Sequence, residues 1–198
     1  MSERSQVQGF VLAGGKSSRM GSDKALLSFR ARPMVEIALA TLCTVSDKVA
    51  ISGNREDLAA WGEIVPERRA GEGPAAGIEA ALECSERPWV LMLPVDVPMM
   101  SAELLRKWMA FVLGREGVRA SYMECSGEWH PALCLVHRDC LSLFREALDG
   151  GDRKLTRIFK GFGEKLLVVD AEGLMPGAVR YFANVNTPEE LAAAEAAE

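Results

Sequence analysis

Short apolar runs alternate with segments of helical periodicity along the first 115 residues of the chain. The apolar runs are nearly continuous, which is typical of strands buried on both faces. They lie at residues 10–13, 49–51, 64–65 and 89–93. Apolar spacings of three and four predict helices between them. These helices begin at Pro33, at residue 75 and after the predicted N-cap Ser101. The alternation predicts an α/β fold with a doubly wound, mostly parallel sheet and helices on both faces.

Beyond residue 115 the pattern is less regular. Residues 132–136 and 165–169 predict strands, with a helix over residues 139–148 between them. The sequence Thr187-Pro-Glu-Glu190 is a capping box that predicts a terminal helix running to residue 198. No internal repeat and no long Pro/Gly/Ser-rich linker divides the chain. We therefore expect one domain over residues 1–198.

Composition and charge exclude several classes of protein. The chain has 198 residues and a net charge of −5, which argues against general affinity for nucleic acid or for an anionic membrane surface. Five cysteines without a C-x-x-C pair and only two histidines argue against disulfides and a zinc site. No apolar run reaches about 18 residues, and the N-terminal MSERSQVQ lacks a signal-peptide core. We expect a cytoplasmic protein that neither enters a membrane nor binds nucleic acid.

A glycine-rich, basic loop follows the first predicted strand. Gly14, Gly15 and Gly21 allow backbone N–H groups to turn toward an anion, and three cations lie within nine residues. These cations are Lys16, Arg19 and Lys24. The spacing fits neither the Walker P-loop nor the G-x-G-x-x-G fingerprint. The loop predicts a cradle for a polyphosphate; the alternative is a flexible loop with solvated charges.

Asp96 follows the strand at residues 89–93 and is framed by Pro94 and Pro98. Ligands of open α/β sheets bind at the carboxyl ends of the strands, where this carboxylate and the glycine loop both belong. A lone carboxylate there suits Mg²⁺, which binds one or two carboxylates together with substrate phosphates. The alternative is a turn aspartate or an N-cap for the next helix.

The string LAGGKSSRMGSDKALL (residues 12–27) resembles the signature of nucleotidyltransferases of the molybdenum cofactor guanylyltransferase type. It matches L-A-G-G-x-S-x-R-M-G-x-D-K without a gap. GPAAG (73–77), LPVDVP (93–98), HPA (130–132) and NVNTPEEL (184–191) extend the resemblance over most of the chain in the family's order. The first motif alone is typical of the wider class of sugar and cofactor nucleotidyltransferases. The closing motif, together with His-Pro, restricts the resemblance to the molybdenum cofactor guanylyltransferase family. The resemblance implies a Rossmann-like nucleotidyltransferase fold.

The resemblance also implies roles for individual residues. The nucleotide would be held by the backbone of Leu12, Ala13, Gly14 and Gly15, by Lys24 and by Asn54 near the base or ribose. Asp96 would bind Mg²⁺, and Lys24, Arg19 and Asp96 would form the catalytic set. Where the family carries an aspartate before the G-P motif, this chain has Pro66-Glu67, so Glu67 is the nearest counterpart. His130, Asn184 and Asn186 would contact the acceptor, with His130 shaping the pocket rather than acting as a base; the two asparagines also fit ordinary turn positions.

The implied reaction is transfer of GMP from Mg·GTP to the terminal phosphate of molybdopterin, with release of pyrophosphate. Two alternatives stay open: a cytidylyltransferase or sugar-phosphate nucleotidyltransferase of the same fold, and a non-catalytic nucleotide-binding regulator. We expect a monomer or weak oligomer that makes transient contacts with cofactor-biosynthesis and molybdoenzyme-maturation proteins. The pair Gly14-Gly15 favours guanine, because cytidylyl-type relatives tend to carry Ala at the first of these positions.

Overall fold

A computed structural model describes residues 3–13, 24–185 and 187–196 of the chain. The predicted loop residues Gly14, Gly15 and Arg19 lie outside the described residues, as does Asn186. The strands are β1 (Val7–Leu12), β2 (Ser28–Phe29), β3 (Arg32–Pro33), β4 (Lys48–Ser52), β5 (Ile64–Val65), β6 (Trp89–Pro94), β7 (Ala120–Cys125), β8 (Glu128–His137) and β9 (Leu166–Asp170). The α-helices are α1 (Met34–Cys43), α2 (Pro74–Cys84), α3 (Ala102–Leu113), α4 (Leu141–Asp149), α5 (Leu155–Lys160), α6 (Ala171–Leu174) and α7 (Pro188–Ala196).

The main sheet of the described chain has the strand order β5-β4-β1-β6-β8-β7-β9. β1 pairs in parallel with β4 and β6, and β4 pairs in parallel with β5. β8 runs antiparallel to both β6 and β7, whereas β9 is parallel to β7. The predicted mostly parallel α/β sheet is therefore confirmed, with one antiparallel strand inserted.

The half of the chain after residue 115 departs most from the sequence pattern. The predicted strand at residues 132–136 is the inner part of the ten-residue β8, and β7 was not predicted at all. The two strands are joined at Ser126 and Gly127, both with positive φ (54° and 84°). Two left-handed residues in a short connection produce a tight hairpin, which forces an antiparallel pairing. The Ser-Gly pair was the sequence signal for it. The hairpin β2–β3 and the short helix α5 were missed as well.

The sheet is packed on both faces, as predicted. Along β6 the side chains alternate: Leu91 belongs to the cluster that includes α1 and α3, whereas Met92 belongs to the cluster that includes α2, α4 and α5. Both residues are fully buried. The alternation follows from the two-residue period of a strand. Both faces of the apolar strand β6 are therefore covered by helices.

Helix starts follow the predicted capping chemistry. The Ser101 side chain accepts a hydrogen bond from the N–H of Leu104 (3.4 Å). The Thr187 N–H donates to the Glu190 carboxylate and the Glu190 N–H donates to the Thr187 hydroxyl oxygen, each at 3.1 Å. This reciprocal pair is the predicted capping box of α7.

Candidate active site

The carboxyl ends of the parallel strands β1, β4, β5 and β6 meet at one edge of the sheet, called here the carboxyl edge. Backbone hydrogen bonds continue the pairing past the strand ends, from Ala13 to Ser52 and from Val95 to Leu12, each at 3.2 Å. The β7–β8 hairpin turns at the same edge, because β8 runs antiparallel to β6. This edge is where ligands of open α/β sheets bind.

Lys24 and Asp96, the two described members of the predicted catalytic set, meet at the carboxyl edge. The Lys24 Nζ lies 3.5 Å from the Asp96 Oδ2, and the two side chains are 22% and 29% exposed. The pair is therefore shielded on most sides yet open to a ligand. The backbone oxygen of Asp96 accepts a hydrogen bond from the N–H of Val185 (2.8 Å), which places the neighbouring Asn184 at this edge. Asn184 is exposed.

Asn54 and Glu67 are joined by two hydrogen bonds across the ends of β4 and β5. The Asn54 side-chain amide donates to the Glu67 backbone oxygen, and the Glu67 N–H donates to the Asn54 side-chain oxygen, both at 3.0 Å. One donor and one acceptor of Asn54 are thus used to hold the segment that carries Glu67. Asn54 therefore positions the segment that carries Glu67; its place near a base or ribose stays a prediction.

The Glu67 carboxyl group is half-buried against the first turns of α2. A Cβ built on Gly77 would lie 3.1 Å from the Glu67 Oε1 and 2.5 Å from the Leu12 Cδ1, so a glycine is needed for this close approach. Burial raises the pKa of Glu67 above its ordinary value. Leu12, Glu67 and the GPAAG motif thus share one corner of the site, although they are far apart in sequence.

The sequence analysis missed a buried carboxylate in α2 that fixes the same corner. Glu79 is 4% exposed and lies between Arg69 (Nε to Oε2, 3.1 Å) and Arg145 (Nε to Oε1, 3.9 Å). Arg69 also pairs with Asp149 at the end of α4. A buried charge is stable only when paired. A glutamate within the apolar stretch of α2 was the signal that could have revealed this network.

His130 lies on β8, where the pairing with β7 is irregular, and its ring packs 4.5 Å from the ring of Phe182. Burial lowers the pKa of His130 below its ordinary value, so the imidazole is neutral at neutral pH. The ring is half-buried and packed on one face. These properties fit the predicted role in shaping a pocket.

Comparison with known proteins identifies the family. Residues 9–168 match the MobA-like NTP transferase domain. The chain belongs to the MobA-like NTP transferase family. It is 32% identical over 200 residues to the molybdenum cofactor guanylyltransferase of Polynucleobacter asymbioticus, covering 96% of each chain. It is 33% identical to the enzyme of the same name from Pseudomonas aeruginosa, covering 92% of this chain and 91% of that one. The resemblance stated from the motifs is confirmed.

Two solved structures share the fold of this chain. The molybdopterin-guanine dinucleotide biosynthesis protein A of Archaeoglobus fulgidus superposes with a TM-score of 0.77 at 21% identity, covering 95% of this chain and 96% of that chain. A CMP:2-keto-3-deoxy-manno-octonic acid synthetase complexed with CTP superposes with a TM-score of 0.74 at 14% identity, covering 97% of this chain and 98% of that chain. The predicted nucleotidyltransferase fold is confirmed, and the chain is a nucleotidyltransferase.

Nucleotidyltransferases of this kind act with a divalent metal, and the described residues offer a limited set of ligands for one. In residues 3–13, 24–185 and 187–196 no three His, Cys, Asp or Glu side chains form a metal-binding group. Asp96 provides a carboxylate beside Lys24 at the carboxyl edge. A hard cation held by one carboxylate needs further oxygen ligands, which nucleotide phosphates supply. The donor set therefore fits a metal that arrives with the nucleotide.

No helix within residues 3–13, 24–185 and 187–196 is long and apolar enough to span a membrane.

Proposed function

We propose that this chain transfers GMP from Mg·GTP to the terminal phosphate of the molybdopterin cofactor and releases pyrophosphate. The observation that carries the proposal is the Lys24–Asp96 pair, 3.5 Å apart at the carboxyl edge. It lies in a chain that aligns almost end to end with relatives named molybdenum cofactor guanylyltransferase. A cation and a carboxylate at this place suit the transfer of a charged phosphoryl group.

The reaction asks for charge neutralisation and in-line placement rather than for a base, because the attacking phosphate is already anionic at pH 7. Lys24 and Arg19 would neutralise phosphate charge, together with the backbone N–H groups of Gly14 and Gly15. The backbone of Leu12 and Ala13 would line the nucleotide site, with the Ala13 N–H donating to the Ser52 oxygen. Asp96 would hold Mg²⁺, which when bound neutralises phosphate oxygens and favours departure of pyrophosphate. The neutral, packed His130 is consistent with a mechanism that needs no histidine base.

Glu67 and Asn54 would define the base and ribose side of the site. The Glu67 carboxylate lies near the nucleotide corner formed by Leu12 and Gly77. A carboxylate accepts hydrogen bonds only, so it suits the N–H or O–H donors of a guanine or ribose. His130, Asn184 and Asn186 would meet the acceptor on the other side of Asp96.

Pyrophosphate release from labelled GTP, measured with and without molybdopterin, tests this function against its alternatives. Release that depends on molybdopterin supports guanylyl transfer. Pyrophosphate release that occurs only when CTP replaces GTP, or only when a sugar phosphate replaces molybdopterin, would indicate a different nucleotidyltransferase of the same fold. Stabilisation by GTP without any turnover would indicate a binding protein.

Nucleotide choice is the first quantitative prediction. We expect kcat/KM for GTP to exceed that for CTP and ATP by at least about ten-fold, because unpaired polar groups in the pocket cost about 1–3 kcal/mol each with the wrong base. Competition kinetics with the three nucleotides at fixed Mg²⁺ measure the preference. Gly14→Ala should reduce the use of GTP more than that of CTP by crowding the larger base. A native preference for CTP would contradict the guanylyl assignment but not the family.

Asn54→Ala tests the placement of Glu67. Loss of both hydrogen bonds to the Glu67 backbone, at about 0.5–1.5 kcal/mol each, should raise KM for GTP by about ten-fold with a smaller change in kcat. Thr44→Ala is the matched control, since the Thr44 hydroxyl donates to the Thr41 oxygen at the end of α1, away from the carboxyl edge. Equal steady-state constants in Asn54→Ala and the native enzyme would contradict this role.

A further inference from the structure

Trp129 is an exposed aromatic side chain next to the acceptor side of the site. It lies on β8 beside His130 and is 54% exposed. One face of the sheet supports it, because its ring lies 6.4 Å from the ring of Tyr122, which in turn packs 5.3 Å from Phe159. The indole is thus supported on one side by the Tyr122 and Phe159 rings, and a large part of its surface is open to water. An exposed tryptophan so supported is suited to stacking on a flat ring.

The register of the sheet relates Trp129 to Asp96. β6 and β8 are antiparallel neighbours, with Met92 opposite Cys134. Beyond Cys134 the pairing of β8 with β7 shifts, so that Glu124 faces Trp129 two levels after Tyr122 faces Cys134. Trp129 therefore lies about two residues short of the level of Asp96, on the adjacent strand. With a strand spacing of about 4.8 Å and a rise of about 3.4 Å per residue, the two positions are on the order of 10 Å apart. A ring on Trp129 and a phosphate near Asp96 could therefore belong to one small molecule.

A carboxylate accompanies the indole. Glu124 on β7 is the direct cross-strand partner of Trp129 and is only partly buried. Its Oε1 accepts a hydrogen bond from the N–H of Gly127 in the hairpin turn. A carboxylate can accept further hydrogen bonds at its second oxygen. An aromatic platform with an adjacent acceptor matches a flat 2-amino-pyrimidinone, whose ring N–H and exocyclic amine are adjacent donors.

We infer that Trp129 and Glu124 form a subsite for the 2-amino-pyrimidinone ring of the acceptor's pterin. This inference rests on the proposed function, which supplies the pterin. Guanine carries the same 2-amino-pyrimidinone edge, so the chemistry alone fits both substrates. The strand order decides between them: the Leu12, Asn54 and Glu67 corner lies on β1, β4 and β5, whereas Trp129 lies on β8, on the other side of β6. The subsite therefore belongs to the acceptor, and Trp129 determines acceptor specificity.

Kinetics with both substrates test the subsite. Trp129→Ala should raise KM for molybdopterin by about ten-fold or more, because the stacking of the pterin on the indole is lost, while KM for GTP stays within about two-fold. Trp129→Phe should restore most of the affinity. Glu124→Gln keeps the acceptor for the Gly127 N–H and should raise KM for molybdopterin several-fold. Phe111→Ala is the matched control, because Phe111 is 40% exposed on α3, where Arg115 covers its ring at 4.0 Å.

Fluorescence gives a readout that does not need turnover. Trp89 and Trp108 are buried, so in a Trp61→Phe background Trp129 is the exposed fluorophore. A soluble probe, 6-hydroxymethylpterin, should quench this emission saturably, and the saturable part should vanish in Trp129→Phe, whereas guanosine should have little effect. Unchanged KM for molybdopterin in Trp129→Ala, an equal rise in KM for GTP, or quenching by guanosine alone would overturn the inference. Absence of molybdopterin-dependent turnover with pterin quenching intact would refute the proposed function but not the pterin subsite.

Discussion

Asp96→Asn is expected to lower turnover by at least about 100-fold while the chain stays folded. The substitution keeps the size of the side chain and removes the charge that would hold Mg²⁺ against the nucleotide phosphates. The Asp96 backbone oxygen still accepts the Val185 N–H, so the contact that anchors residue 185 is unchanged. Initial rates at saturating GTP over a Mg²⁺ titration measure the effect, and thermal unfolding verifies the fold.

Asp47→Asn is the matched control for this substitution. Asp47 also pairs with a cation, Arg4 at 3.2 Å, but its side chain is 48% exposed and far from the carboxyl edge. An exposed ion pair contributes little to stability or activity. Asp47→Asn should therefore keep native rates. Near-normal turnover of Asp96→Asn at saturating Mg²⁺ would rule out the metal-ligand role of Asp96.

Lys24→Ala is expected to lower kcat by more than ten-fold. The Lys24 ammonium group lies beside Asp96 at the carboxyl edge, where charge develops on the departing pyrophosphate. Its removal leaves that charge uncompensated in a partly shielded site. Lys16 provides the internal control: it belongs to the same basic loop but not to the family's motif lysine position, so Lys16→Ala should act mainly on KM. Equal effects of the two substitutions would indicate a diffuse basic patch.

The contact between Lys24 and Asp96 adds a test of coupling. Two residues that act on the same phosphate group and touch each other should not have additive effects. The double variant Lys24→Ala/Asp96→Asn is therefore expected to lose less activity than the product of the two single losses. Strictly multiplicative losses would indicate that the two side chains act independently.

The sequence predicted those features that depend on residues close together along the chain. The apolar runs gave β1, β4, β5 and β6, because a strand buried on both faces needs apolar residues at successive positions. The capping box at Thr187 was readable because all its donors and acceptors lie within four residues. The motif LAGGKSSRMGSDK was specific enough to indicate the family, which the comparisons confirm.

The second half of the fold was less predictable. β7 has no clear alternation of apolar and polar residues, and β8 is exposed at its start and buried at its end. β8 therefore does not resemble a strand buried on both faces throughout, and in β7, which is buried at five of its six residues, the polar Ser121 interrupts the apolar run. Strand direction there is decided by the left-handed residues Ser126 and Gly127. The antiparallel direction of β8 is therefore determined by a turn and not by hydrophobic periodicity.

By itself, the sequence determined the α/β class, the family and the types of residue available for phosphate chemistry. Only the tertiary structure decided which of these residues meet. Lys24 contacts Asp96 across 72 positions, and Asn54 fixes Glu67 across 13. Glu79 is buried between arginines from two other segments. Such contacts depend on how the strands are ordered in the sheet, whereas local patterns depend on neighbours within one or two turns of the chain. The geometry of the site therefore depends on the order of the strands in the sheet, and local sequence patterns do not predict that order.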